Sequence, residues 1–156
     1  MIHIGISGSR DGCTPAQLTT LCNYLKAFAA AYRDVCKTMT FHHGDCVGVD
    51  AAAHDAAFAY GYKIIVHPPE NSSKRAFKNG HIILSEKPYL IRNKCIVANS
   101  DIVFILPKDR EFPNFNTNVR GGTWYTYRDA IKNDRDVIVI WPNGTDSNNV
   151  DEPLPC

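Results

Sequence analysis

The chain has 156 residues, 44% of them hydrophobic and 21% charged, which fits one ordinary soluble domain and leaves no room for a second. Seventeen Lys and Arg against sixteen Asp and Glu give a formal charge of +1, which argues against a protein that holds nucleic acid by bulk phosphate neutralisation. The longest apolar runs, as at residues 102–106 and 137–141, fall far short of the roughly 20 residues of a membrane-spanning helix.

The N-terminus reads as a strand from its first residues, with no basic segment followed by an apolar leader, and a cytoplasmic protein is expected. Ile2, Ile4 and Ile6 form that strand, which stops at Ser7-Gly8-Ser9-Arg10-Asp11-Gly12. Thr14-Pro15 then opens a helix predicted over residues 15–33, because Leu18, Leu21, Leu25, Phe28 and Ala29 recur every three or four positions. A second strand at 38–42 leads through His43-Gly44-Asp45 into an Ala-rich helix at 49–60, ended by Gly61.

Residues 63–67 make a third strand, broken by Pro68-Pro69, since proline cannot donate to a sheet ladder. Residues 70–87 are polar and irregular. A short helix at 89–98 runs into a fourth strand at 101–106, and a loop at 107–120 is long enough to act as a lid. A last helix at 121–133 and a fifth apolar strand at 136–141 complete the domain, placed at residues 1–142, with a polar, poorly ordered tail at 143–156. Strands alternating with helices predict a Rossmann-like α/β three-layer sandwich with a mainly parallel five-stranded sheet.

Ligands of such sheets bind where the carboxyl ends of strands meet helix N-termini, and four loops there carry polar signal. Gly8, Ser9 and Arg10 offer close backbone approach, a hydroxyl and a guanidinium. Neither G-x-G-x-x-G nor G-x-x-x-x-G-K-[ST] is present, which argues against a standard dinucleotide site or P-loop. Residues 42–50 gather His42, His43, Gly44, Asp45, Cys46 and Asp50 at one strand-to-helix junction, where either Asp also suits helix capping. Cys46 beside His43 is a weaker candidate nucleophile, and a buried inert thiol is the commoner outcome.

Arg92 and Asn93, with Lys94, lie on the helix before strand four, and Arg120 precedes Gly121, Gly122 and Thr123, with Thr126 one turn on, at a helix start suited to an anion. His54, His67 and His81 have no such cluster around them in sequence and read as packing or solvent-facing residues. The six cysteines are scattered without a C-x-x-C pair, so free thiols are expected. Neither a metal nor a bound cofactor is expected, since only residues 42–46 approach metal-ligand spacing.

The order of the four loops, Gly5-Ile6-Ser7-Gly8-Ser9-Arg10, His43-Gly44-Asp45 with Gly48-Val49-Asp50, Arg92-Asn93-Lys94 with Ser100-Asp101, and Gly121-Gly122-Thr123 with Thr126, resembles the SLOG superfamily, closest to its YspA-like branch. The resemblance runs from about Met1 to Trp141 and implies a Rossmann-like fold that binds nucleotides or nucleotide-derived signals. Some members, the lonely-guy-type phosphoribohydrolases, cleave the N-glycosidic bond of nucleoside monophosphates with an Arg before strand four and a Glu in P-G-G-x-G-T-x-x-E. Arg92 matches the Arg, but Thr126 stands where the Glu belongs, and Asn118, Val119 and Arg120 replace the Pro and first two Gly.

Glycoside cleavage builds positive charge on the ribose and needs an activated water, tasks for a carboxylate rather than a neutral hydroxyl. Asp129, three residues beyond Thr126, lies too far from the glycine loop to take over. The expectation is therefore a sensor or sequestering protein that binds a nucleotide or nucleotide-derived signal without turnover. Gly8, Ser9, Arg10, Gly44, Asp45, Asp50, Arg92, Asn93, Arg120, Gly121, Gly122, Thr123 and Thr126 form its site. The alternative is a nucleotide N-glycoside hydrolase or transferase, in which Arg92 orients the sugar or phosphate and Asp45, or Asp50, polarises water. A homo-oligomer is expected from related proteins, whereas nucleic-acid and membrane partners are not.

Overall fold

The computed structural model describes residues 1–35, 38–109 and 121–148. The sheet has seven strands in the order β4-β3-β2-β1-β5-β6-β7, built from β1 (Ile2–Gly8), β2 (Met39–His43), β3 (Lys63–Val66), β4 (Ile82–Ile83), β5 (Ile102–Leu106), β6 (Asp136–Ile140) and β7 (Asp146–Asn148). All neighbouring pairs are parallel except β6 and β7.

The helices are α1 (Pro15–Tyr32), α2 (Val49–Ala59), α3 (Tyr89–Ala98) and α4 (Gly122–Lys132). Alternation along the strands sends side chains to two cores. Ile4, Ile6, Phe41, Ile64, Phe104 and Leu106 meet Leu21 and Leu25 of α1 and Ala53 and Ala57 of α2 on one face. Val103, Ile105, Val137 and Val139 meet Val97 of α3 and Ala130 of α4 on the other. Each fully buried Leu or Ile there is worth about 1.5–3 kcal/mol of transfer free energy.

Thr14 starts α1 with a capping box: its hydroxyl accepts from the Gln17 amide at 3.1 Å and the Gln17 side chain accepts from the Thr14 amide at 3.0 Å. Gln17 is buried, and its amide nitrogen donates to the carbonyls of Pro107 and Ile140, both at 2.9 Å, tying α1 to the ends of β5 and β6.

The five-stranded expectation is corrected by two short edge strands. Ile82 and Ile83 are exposed, and a two-residue strand in a polar stretch is too short to show an alternation. Asp146, Ser147 and Asn148 carry no apolar pattern and pair through their backbone with Ile140, Val139 and Ile138. Part of the expected tail is thus ordered: Gly144 turns at φ 85°, its carbonyl accepts from Thr20 Oγ1 at 2.7 Å, and Tyr24 donates to Asp146. The expected lid at 107–120 and the end of the tail lie largely outside the described residues.

From β1 the chain builds β2, β3 and β4 to one side, then crosses by α3 to β5 on the other. The order reverses between β1 and β5, the place where α/β sheets open a crevice at the carboxyl ends of their strands.

Candidate ligand-binding site

A cleft of about 250 Å³ lies at that reversal, lined by Gly8, Ser9, Arg10, Gly44 and Asp50 from the first two loops and by Arg92 and Asn93 from α3. Gly121, Gly122 and Thr123 close it from the start of α4. The loop after β1 is fixed by backbone contacts: Ser9 N–H donates to Leu106 O at 3.3 Å, and Ser9 O accepts from Val49 N–H at 3.0 Å. Gly48 makes this approach possible. Its φ is +87°, and a Cβ there would lie 2.5 Å from the carbonyl oxygens of Ser9 and Arg10.

Arg92 is the central cation and only 4% exposed. Its Nη1 donates to Gly44 O and to His67 O, the latter at 3.2 Å, its Nε to Asn93 Oδ1 at 2.7 Å, and its Nη2 to Cys46 Sγ at 3.7 Å. None of these acceptors is a carboxylate, and among the described residues Arg92 has no ion pair. Gly44 is needed for this placement, because any side chain there would run into the guanidinium. The Arg92 and Arg10 guanidinium carbons stand 5.0 and 4.7 Å from the centroid of the Tyr89 ring, a cation–π arrangement that sets two positive groups at the same wall.

Asp50 is the acidic residue of the described lining. It is 6% exposed, and its Oδ2 accepts from the amides of Gly44 and Cys46, both at 3.1 Å, closing the loop before α2. Burial pushes its carboxyl up to about 6, with Arg92 and the two amides pulling the other way. The stronger sequence candidate, Asp45, does not line the cleft. It is buried with φ 57°, accepts from Arg75 Nε at 2.8 Å and from Lys78 N–H at 2.9 Å, and anchors the segment after β3.

At the other wall, the N-cap Gly121 gives no side-chain cap to α4, so first-turn amides have no intrahelical acceptor and face an anion favourably. Thr123 lines the cleft there, but Thr126 does not: it is fully buried, and its hydroxyl donates to Gly122 O at 2.8 Å. Asn93 Nδ2 reaches the same carbonyl at 3.4 Å. Arg120 lies outside the described residues.

Tyr89 was not singled out by sequence. It stands three residues before Arg92 on α3, a helical neighbour spacing that was available to find it. Cys46 lines the cleft, with its Sγ 3.7 Å from Tyr89 Oη. Among the described residues no group of three or more His, Cys, Asp or Glu is arranged to hold a metal ion.

Histidines that look isolated in sequence are paired in space. His42 Nε2 lies 3.1 Å from His3 Nδ1, and His42 Nδ1 lies 2.9 Å from His67 Nε2, on the sheet face opposite α1 and α2. His43, on the other face, accepts at Nδ1 from the Asp45 amide at 3.0 Å, so as a neutral ring it donates from Nε2 to His54 Nδ1, also at 3.0 Å. Burial pushes His42 and His43 down to about 3 and His67 to about 4, each helped by neighbouring imidazoles or by Arg92.

No family model matches the chain, and no curated protein matches it in sequence. Solved structures do match it in shape. The molybdenum cofactor binding protein of Rippkaea orientalis is 22% identical, with a TM-score of 0.63 over 90% of this chain and 76% of that one. DNA processing protein A of Streptococcus pneumoniae is 20% identical, with a TM-score of 0.62 over 89% of this chain and half of that longer protein. The chain shares the α/β fold of these proteins, with its mostly parallel sheet. A third protein of this fold, the molybdenum cofactor carrier protein of Chlamydomonas reinhardtii, is 16% identical, with a TM-score of 0.58 over 88% of this chain and 75% of that one. At these identities the shared property is the fold. No helix among the described residues is long and apolar enough to cross a membrane.

Proposed function

We propose that this protein binds a small phosphorylated heterocyclic compound, a nucleotide or nucleotide-derived signal, in the cleft between the β1, β2, α3 and α4 loops, and holds it without turnover. The observation that carries the reading is Arg92, a guanidinium 4% exposed that lines a cleft and has no anionic partner within ion-pair distance among the described residues. A buried cation is costly unless an anion pairs with it. A phosphate on Arg92 and Arg10, at the N-terminal end of α4, supplies that partner. Tyr89 offers a ring for the base.

Micromolar affinity needs about 8 kcal/mol, which several hydrogen bonds to charged groups at roughly 1.5–3 kcal/mol each supply after entropic losses. The molybdenum cofactor named for two of the similar structures is a phosphorylated pterin and belongs to the same chemical class. The YspA-like placement, a cytoplasmic site of action and a homo-oligomer are parts of this proposal. About half-exposed Leu90 and Ile91 on α3 and Ile83 on β4 favour the last of these.

A second reading, N-glycoside hydrolysis, is favoured by one feature, the carboxyl of Asp50 inside the cleft and raised to about 6. It transfers the carboxylate role from Asp45, which is engaged with Arg75 and Lys78, to Asp50. Incubation of the protein with mono-, di- and cyclic nucleotides and molybdopterin, followed by denaturation and mass spectrometry, separates the two. Intact ligand near one equivalent per chain is the expected result. Free base and ribose phosphate in excess over protein contradict capture and establish hydrolysis, and the absence of both retained ligand and product contradicts both readings.

A further inference from the structure

Within the cleft Asp50 is out of keeping with its surroundings. The other charged groups of the described lining are the guanidinium groups of Arg10 and Arg92, which suit an anion, whereas a carboxylate only accepts hydrogen bonds and repels phosphate. Its Oδ2 is occupied by the amides of Gly44 and Cys46. Its Oδ1 has no hydrogen bond among the described residues, and it is not sealed from solvent. One acceptor oxygen is therefore left without a hydrogen bond among the described residues, on a side chain more than nine-tenths buried that lines the cleft.

We infer that Asp50 Oδ1 accepts a hydrogen bond from the 2- or 3-hydroxyl of a ribose in the ligand, and that the cleft selects ribosyl phosphates over phosphates lacking those two hydroxyls. The inference rests on the phosphate-binding reading of Arg92 and Arg10. A single open oxygen matches a single hydroxyl better than the paired N–H donors of a guanine or pterin edge, because the second carboxylate oxygen already has two amide donors. Arg92 borders both Asp50 and the cleft, so a compound bearing phosphate and hydroxyl on one small ring satisfies both charges at once. A bond from hydroxyl to carboxylate is charge-assisted and among the stronger hydrogen bonds.

Base-free probes test this without knowledge of the natural ligand. The wild-type protein is titrated by NMR with ribose 5-phosphate, 2,3-dideoxyribose 5-phosphate and inorganic phosphate. Ribose 5-phosphate is expected to bind at least tenfold more tightly than its dideoxy counterpart. In Asp50→Asn, which keeps a carbonyl oxygen for the Gly44 and Cys46 amides but replaces the open acceptor by a donor, the ratio is expected to fall below threefold. Equal binding of the two sugars by the wild type, or a ratio unchanged in Asp50→Asn, overturns the hydroxyl assignment while leaving phosphate binding intact. Failure of all three probes to bind overturns the phosphate reading itself. The wild-type comparison decides the matter even where Asp50→Asn does not fold.

Discussion

The histidine array and the cleft are both built from buried polar side chains a few residues apart, yet they differ in what remains unsatisfied. In the array, His3, His42 and His67 bond to one another, and His43 bonds to His54 and to the Asp45 amide. In the cleft, Arg92 has no anion within ion-pair distance among the described residues, Asp50 acting on it only from further off, and Asp50 Oδ1 has no hydrogen bond there. Closed networks hold a fold together, whereas open ones mark where a partner belongs. His67 links the two, since its ring belongs to the array and its carbonyl accepts from Arg92.

The largest effect should come from charging the array. His42, His43 and His67 are held at about 3, 3 and 4, against 6.5 for an ordinary imidazole. Between those values the unfolded chain binds more protons than the folded one, so stability present above pH 6.5 is lost as the pH falls toward 3. Asp50 has the opposite sign: raised from 3.8 to about 6, it contributes stability that is full below 3.8 and lost as the pH rises through 6. Three imidazoles outweigh one carboxyl, and urea unfolding followed from pH 8 to pH 4 should show stability nearly level down to about pH 6.5 and a growing loss below it. A flat profile would mean that the array is hydrated or already charged.

A smaller but more local effect belongs to the cleft. Arg92→Gln removes the buried charge while keeping donors for the Gly44 and His67 carbonyls, and should weaken binding of a nucleoside monophosphate about a hundredfold, ~3 kcal/mol. Calorimetric titration reads this directly, and an affinity within threefold of wild type would place the phosphate elsewhere. The smallest effect is expected at Thr126. Its hydroxyl bonds within α4 and does not reach the cleft, so Thr126→Val should leave ligand affinity within twofold while costing no more than about 1 kcal/mol of stability. A tenfold loss of affinity in that variant would return Thr126 to the site.

The parallel core was legible because its signals are periodic: β1, β2, β3, β5 and β6 are apolar runs, and α1 shows a helical stripe with Thr14 and Pro15 at its start. The edge strands β4 and β7 were not, since two exposed isoleucines and an Asp-Ser-Asn triplet are held by backbone pairing alone. In the site, residue types and loop order brought out Arg10, Asp50, Arg92, Gly121 and Thr123, all of which border the cleft. The roles of Asp45 and Asp50 were not separable by sequence. Both follow the same strand, and only the fold of the segment after β3 gives Asp45 to Arg75 and Lys78. The pairings of His42 with His3 and with His67 join residues 39 and 25 positions apart, a register that no local pattern encodes.

The central claim is that the cleft recognises a phosphate through Arg92 and Arg10, and the most direct measurement compares AMP and GMP with adenosine and guanosine by calorimetric titration of the wild-type protein. At least one nucleotide is predicted to saturate at one equivalent per chain, with its phosphate-free nucleoside at least a hundredfold weaker. A nucleoside that binds as tightly as its nucleotide, or the absence of binding by all four, would contradict the account.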